Sequence, residues 1–158
     1  MKAASLHQIK KELETYSPQK MLDITLKLIK HKTENKEFVS YLLFDENDLA
    51  GYIFDLREDI TGMLTDIRYL PGYQIKKILR KALKFITRYS RYTHAKETDA
   101  ELLLHFCSLM KENGLLRNTN KAITVIFYKQ LEKVEKMLPV LHEELQFDYH
   151  QKIEALRK

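Results

Sequence analysis

Glycine and proline are scarce in this sequence, and their scarcity strongly limits the folds that the chain can adopt. There are four Gly and three Pro among 158 residues, which leaves little material for hairpin turns. Long stretches rich in Leu, Lys, Glu and Ile favour helix instead. We therefore predict an all-α fold in a single domain covering residues 1–158, a length that suits one hydrophobic core.

Local capping and breaking signals divide the chain into seven or eight helices. Ser17 followed by Pro18 is typical of a helix start, because the Ser side chain accepts a hydrogen bond from a free amide and Pro fits the first turn. Thr98 and Glu101 have the spacing of a capping box, which predicts another helix start. The remaining starts, breaks and ends are predicted at Ser5, Asn35, Asp45, Pro71, Gly72, Asn113, Gly114, Thr119 and Pro139.

Two segments have similar patterns, which suggests a duplicated helical hairpin. Residues 17–44 and 74–113 each have the pattern of an amphipathic helix, a polar turn and a helix that is apolar nearly all round. A helix without a polar face is normally buried, so we expect "FVSYLLF" (38–44) and "LLLHFCSLM" (102–110) to be central in the two hairpins. With C-terminal helices at 119–157, we predict antiparallel hairpins in an α-solenoid-like array or an irregular helical bundle.

The segment "KKILRKALKFITRYSR" (76–91) carries seven positive charges and no acid. With successive residues 100° apart on a helix, all seven lie within an arc of about 140°, opposite an apolar side. Like charges four residues apart, such as Arg80 with Lys84, repel by about 0.2–0.5 kcal/mol, so we expect a compensating group outside the helix. We define the basic face as Lys77, Arg80, Lys81, Lys84, Arg88 and Arg91.

The segment immediately before the basic face is acidic. Residues 45–70 hold seven acids and two Arg. Asp48, Asp55, Glu58, Asp59 and Asp66 are predicted to share one side of a helix within about 100° of arc. We define the acidic face as Asp48, Asp55, Asp59 and Asp66. The short "LPG" turn that follows should place the two helices side by side. The two faces can then pair within one chain or between two copies about a twofold axis.

These faces lead to two functional hypotheses, neither of which involves catalysis. The first is a non-enzymatic protein-interaction or scaffold module whose partner is another protein or a second copy in a homodimer. The alternative is nucleic acid, with the basic face on the phosphates of a duplex. A single strand would also need aromatic side chains among the charges, and we expect Phe85 and Tyr89 to project toward the apolar side.

The sequence has no residue pattern typical of catalysis or cofactor binding. There is no Gly-x-Ser-x-Gly, P-loop or dinucleotide Gly motif, so we predict no enzyme activity and no cofactor. We expect His105 to be buried and satisfied by Glu101, four residues away on the same helix face. His142 and His150 lie about two helical turns apart, which is too far to share one ion, so no metal site is predicted.

The cysteine content and the hydropathy of the chain predict the cellular compartment in which the protein works. The single cysteine, Cys107, lies in an apolar run, which favours a buried, inert thiol in a reducing compartment. No segment approaches the roughly 18 apolar residues of a membrane span, and the N-terminus lacks the apolar core of a secretory signal. We therefore expect a cytoplasmic protein without a membrane partner.

Three strings carry a resemblance to a known group of proteins. They are "SPQKMLDITLKLIKHKTENKE" (17–37), "YLLFDENDLAGYI" (41–53) and "KKILRKALKFITRYSRYTHAKETDAELLLHFC" (76–107). Through them the chain resembles, over about residues 6–113, a group of small uncharacterised all-helical proteins of Bacteroidetes bacteria. The resemblance implies a helical fold and a bacterial cytoplasmic setting, and it brings no function, ligand or site residue.

Overall fold

A computed structural model describes residues 2–117 and 121–158 of the chain. These residues form eight α-helices and no strand, which confirms the predicted all-α fold. The helices are α1 (Leu6–Leu13), α2 (Pro18–His31), α3 (Thr33–Ser40), α4 (Leu49–Leu64), α5 (Gly72–Ser90), α6 (Lys96–Glu112), α7 (Lys121–Met137) and α8 (Glu143–Arg157). A π-helical turn covers Tyr41–Asp45, and short 3₁₀ turns cover Ile67–Tyr69, Arg91–Thr93, Leu115–Arg117 and Leu138–Val140.

Most of the predicted helix boundaries agree with the structure because they depend on local capping. The Ser5 and Ser17 hydroxyls accept hydrogen bonds from the amides of Gln8 and Lys20, each over 3.3 Å. Gly114 follows α6 with a φ of 66°, the left-handed conformation that suits a helix end. The predicted start of the seventh helix near Thr119 lies outside the described residues.

The predicted capping box at Thr98 and Glu101 is wrong. Helix α6 begins at Lys96, after Ala95, so Thr98 lies within its first turn. The turn before α6 determines this start: the Thr93 hydroxyl accepts a hydrogen bond from the Ala95 amide over 3.2 Å, and His94 has a φ of 53°. The Thr98 hydroxyl is consequently buried without a hydrogen-bond partner among the described residues.

Residues 46–158 form the larger of two compact units. Its central element is α6, which packs against α4, α5, α7 and α8. The burial predicted for "LLLHFCSLM" is confirmed, apart from His105 and Ser108, which are half-buried. The fully buried large side chains of this unit include Ile60, Leu64, Ile75, Leu79, Ile86, Leu102, Leu103, Phe106, Met110, Leu115, Ile123, Phe127, Leu131 and Ile153.

Residues 1–45 form the smaller unit, described from residue 2, in which α2 packs against α3. Tyr41 is its one buried hydrophobic side chain among the described residues, and Leu43 and Phe44 are 67% and 78% exposed. The burial predicted for "FVSYLLF" is therefore wrong at Leu42, Leu43 and Phe44, because a unit this small has too few neighbouring helices to cover an apolar segment on all sides.

The arrangement of the helices over the whole chain stays a prediction. A solenoid-like array, duplicated hairpins and one domain over residues 1–158 all concern how the two compact units relate. Across the described ranges, no helix combines the length and the apolar content that crossing a membrane requires.

Candidate functional site

Helix α5 presents the basic face because its apolar residues recur at helical spacing. Ile75, Leu79, Ala82 and Ile86 are all buried against the core of the larger unit. Their spacing of four, three and four residues puts them on one side of the helix, so the charged positions between them face away from the core.

The basic face is open to solvent. Lys77, Arg80, Lys81, Lys84 and Arg91 are exposed, and Arg88 is half-buried. Within the described ranges, no ion pair within 4.0 Å joins any of the five exposed residues to an acid. The repulsion expected between residues four apart on α5 is therefore not offset by a close acidic contact.

The acidic face is also open, but it is smaller than the sequence predicts. Asp55 and Asp59 lie within α4 and are exposed. Asp48 precedes the helix as its cap, where its carboxylate accepts a hydrogen bond from the Gly51 amide over 3.0 Å. Helix α4 ends at Leu64, so Asp66 lies beyond it, with a φ of 58°. The placement of Asp66 on the same helix face is therefore wrong.

The two charged faces do not meet within the larger unit. Helices α4 and α5 pack together through apolar side chains, among them Leu56 and Ile60 on α4 and Leu79 on α5. In the part of the chain that is described, no ion pair joins the acidic face to the basic face. Two amphipathic helices that share a core join their apolar sides, which leaves their charged sides in water.

A cleft adjoins the basic face and brings aromatic rings next to its cations. It has a volume of about 270 Å³ and is lined by Met63, Lys81, Lys84, Phe85, Arg88 and Tyr89. The rings of Phe85 and Tyr89 contact each other, with centroids 4.5 Å apart. Both rings pack against the core as expected, yet they remain half-buried and line this aromatic cleft. Helical spacing assigns Phe85 and Tyr89 to the apolar side of α5, whereas both rings lie at the boundary between the apolar and the charged side.

A second cleft lies on the larger unit and is lined mostly by polar side chains. It has a volume of about 290 Å³. We define this polar cleft as Arg57 of α4, Glu101, Leu104, His105, Ser108 and Glu112 of α6, and Tyr149 and Lys152 of α8. From the sequence only Glu101 and His105 were named. Arg57, Tyr149 and Lys152 come from α4 and α8, so local spacing could not place them beside α6. Ser108 and Glu112 could have been found from the sequence, because polar residues at positions 101, 105, 108 and 112 recur at helical spacing in an otherwise apolar helix.

The predicted partner of His105 is wrong. Its Nε2 lies 2.9 Å from the Thr61 hydroxyl and 3.2 Å from the carbonyl oxygen of Arg57. Glu101 instead pairs with the Arg57 guanidinium over 3.4 Å. Burial, and then the positive charge of Arg57, lower the pKa of His105 from its usual value of 6.5. The ring is therefore mainly neutral at pH 7.

The other residues considered for chemistry have structural contacts. The His142 ring caps α8 by accepting a hydrogen bond from the Glu144 amide over 3.4 Å. Cys107 is buried, and burial raises the pKa of its thiol to about 12. Among residues 2–117 and 121–158, no group of three or more His, Cys, Asp or Glu side chains could hold a metal ion.

Comparisons with protein families, with curated proteins and with solved structures find no match to the chain. The resemblance to helical Bacteroidetes proteins therefore stays a prediction.

Proposed function

We propose that the chain is a non-enzymatic interaction module that binds a protein partner through the basic face. The observation that carries the proposal is that five of its cations are exposed, four on α5 and Arg91 in the 3₁₀ turn that follows, without an acid within 4.0 Å among the described residues. An acidic partner would remove the repulsion between Lys77 and Lys81 and between Arg80 and Lys84. Such a contact also supplies the charge complementarity that favours fast and specific association.

A second copy of the chain is the first partner to test. Asp55 and Asp59 are exposed on α4, next to the helix that carries the basic face. About a twofold axis, the acidic face of one copy would contact the basic face of the other, and the reverse contact would form at the same time. Exposed ion pairs are screened by salt, so this homodimer should weaken as salt rises.

Charge exchange between the two faces tests self-association. We expect sedimentation of the native chain at low salt to show a dimer, and Lys81→Glu/Lys84→Glu and Asp55→Lys/Asp59→Lys each to be monomeric. An equimolar mixture of the two variants should restore a dimer, because each then complements the other. The matched control is Lys129→Glu/Lys136→Glu, which reverses two exposed lysines on α7. A native chain that is monomeric at every salt concentration rules out the homodimer.

Nucleic acid is the second candidate function, and the aromatic cleft is the observation that favours it. Lys81 and Lys84 there lie beside the rings of Phe85 and Tyr89. Proteins that bind single strands combine cations for the phosphates with rings on which bases stack. The basic face without the rings would suit the phosphates of a duplex.

A salt series with two labelled oligonucleotides tests this candidate. If a duplex binds through the basic face, removing Lys84 should reduce the slope of log affinity against log salt by about one. If a single strand binds in the aromatic cleft, Phe85→Leu should weaken its binding and leave duplex binding unchanged. The absence of salt-sensitive binding to both oligonucleotides contradicts a nucleic-acid function.

A further inference from the structure

The polar cleft is built on a stripe of polar residues along an otherwise buried helix. Glu101, His105, Ser108 and Glu112 lie on α6 at intervals of four, three and four residues, within about 60° of arc. Seven of the nine residues between Leu102 and Met110 are buried, and the two that are not are His105 and Ser108. Helix α6 is therefore packed against other helices on its remaining sides, and the cleft lies along its polar stripe.

Tyr149 supplies a polar group with no protein partner. The residue is 4% exposed and lines the cleft, and its hydroxyl makes no hydrogen bond to a described residue. Burial, and then the nearby Glu101 carboxylate, raise the pKa of Tyr149 to about 12. The hydroxyl consequently stays protonated at neutral pH and can donate a hydrogen bond to a ligand.

His105 supplies an acceptor in the same cleft. The Thr61 hydroxyl donates to the carbonyl oxygen of Arg57 over 2.8 Å, so toward the His105 ring it acts as an acceptor. The ring's other contact is that same carbonyl oxygen, which can only accept. These two contacts assign the hydrogen to Nε2 and leave Nδ1 as an acceptor without a protein partner among the described residues.

The rim of the cleft carries one carboxylate and one ammonium group that are not paired. Arg57 and Glu101 neutralise each other. Glu112 and Lys152 have no opposite charge within 4.0 Å among the described residues, and the Lys152 Nζ lies 5.3 Å from the centroid of the Tyr149 ring. The cleft therefore offers charges of both signs, together with a neutral donor and a neutral acceptor.

We propose that the polar cleft binds a small zwitterion of the free amino-acid class. Its carboxylate contacts Lys152 and the Tyr149 hydroxyl, and its ammonium group contacts Glu112. The volume of about 290 Å³ suits a molecule of this size. A ligand with a single charge would satisfy one of the two rim groups and be repelled by the other, and a neutral ligand would leave both charges without a partner. The proposal is independent of the basic face.

Calorimetric titration of the full chain tests the ligand class. Each free L-amino acid is titrated beside matched compounds that lack one charge, namely the corresponding primary amine and the corresponding carboxylic acid, and beside glycerol. We expect at least one amino acid to bind saturably and its single-charge relatives to bind at least about tenfold more weakly. No binding by any amino acid overturns the proposal, as does equal binding of the amine, the acid or glycerol.

Substitutions in the cleft test its location. For the amino acid that binds, Tyr149→Phe, Glu112→Gln and Lys152→Met should each weaken binding by about tenfold. The control is Lys129→Met, an exposed lysine on α7 outside the cleft, which should leave binding unchanged. Tyr149→Phe retains the buried ring, and circular dichroism checks that each variant is folded. Unchanged binding in all three folded cleft variants overturns the assignment.

Discussion

At the scale of single residues, two threonines five positions apart differ in whether their hydroxyls form hydrogen bonds. Thr98 is 1% exposed and its hydroxyl has no partner among the described residues. The Thr93 hydroxyl donates to the Ser90 carbonyl over 2.9 Å and accepts from the Ala95 amide over 3.2 Å. A buried polar group without a partner lowers stability, whereas a satisfied one contributes to it.

We therefore expect opposite effects from the same substitution at the two positions. Thr98→Val, which keeps the shape of the side chain, should raise the free energy of unfolding by about 1 kcal/mol. Thr93→Val removes two hydrogen bonds and should lower it by about 1 kcal/mol or more. Urea unfolding of both variants measures the difference. A loss of stability in Thr98→Val would mean that its hydroxyl is satisfied.

His105 should make stability depend on pH in a defined direction. Its pKa is lowered in the folded chain by burial and by Arg57, with Glu112 and Glu58 acting in the opposite sense. The unfolded chain therefore binds a proton near pH 6.5 that the folded chain does not. The stability from neutral His105 is present above pH 6.5 and is lost as the pH falls toward the lower folded value.

A proton NMR titration of the His105 ring measures this effect. We expect a midpoint below 6.5 in the native chain and a higher midpoint in Arg57→Gln, because that variant removes the neighbouring positive charge. His105→Gln should reduce the loss of unfolding free energy below pH 6.5. A native midpoint at or above 6.5 contradicts the burial of this ring.

At the scale of helices, two glycines have opposite roles. Gly62 lies in the last turn of α4, and a Cβ at this position would meet nothing within 4 Å. Gly114 has a φ of 66°, which strains any residue with a Cβ. Gly62→Ala should therefore stabilise the chain by about 0.5–1 kcal/mol, and Gly114→Ala should destabilise it by about 1 kcal/mol. Thermal unfolding of both variants checks the two signs, and a stable Gly114→Ala would contradict the left-handed helix end.

The helices were more predictable from sequence than the contacts between them. The caps at Ser5 and Ser17 and the face of α5 depend on residues within a few positions, so spacing was enough to predict them. The start of α6 depends on a turn formed by Thr93 and His94, and the partners of His105 come from α4. The contacts of His105 depend on packing between distant segments, which a local pattern does not contain. The start of α6 depends on a local turn in which Thr93, and not Thr98, supplies the hydroxyl.

The two candidate sites also differ in how far they could be predicted from the sequence. The stripe on α6 was visible in the sequence, but Arg57, Tyr149 and Lys152 come from helices more than 40 positions away along the chain from His105. The basic face, in contrast, lies on α5 and the 3₁₀ turn directly after it, which holds Arg91, and its residues could all be named from spacing. Sites on one element are predictable from a single sequence, whereas sites assembled from several elements need the fold.

At the scale of the whole molecule, the hydrophobic core is unevenly distributed between the two compact units. Every residue of the buried core cluster lies between Leu56 and Ile153, within the larger unit. In the described part of the smaller unit, no residue of α1, α2 or α3 is buried. Hydrophobic burial, which supplies most of the driving force for folding, is therefore concentrated after residue 46.

We expect a fragment of residues 46–158 to unfold cooperatively, with a midpoint within a few degrees of that of the full chain. A fragment of residues 1–45 should show no cooperative transition, because it has too little buried apolar surface to offset the conformational entropy of folding. Circular dichroism melting of the two fragments and the full chain compares them. An unfolded 46–158 fragment would mean that the core needs the smaller unit.

The buried thiol has a practical consequence for following the molecule in solution. Cys107 is the single cysteine of the chain, its Sγ lies 3.9 Å from the Phe127 carbonyl oxygen, and its pKa is raised to about 12. Because the thiol is buried, a reagent can modify it only when the packing around α6 opens, so the labelling rate measures how often the core opens. Cys107 is thus a built-in probe of core opening, and any small molecule that binds along α6 should lower the rate at which this thiol is labelled.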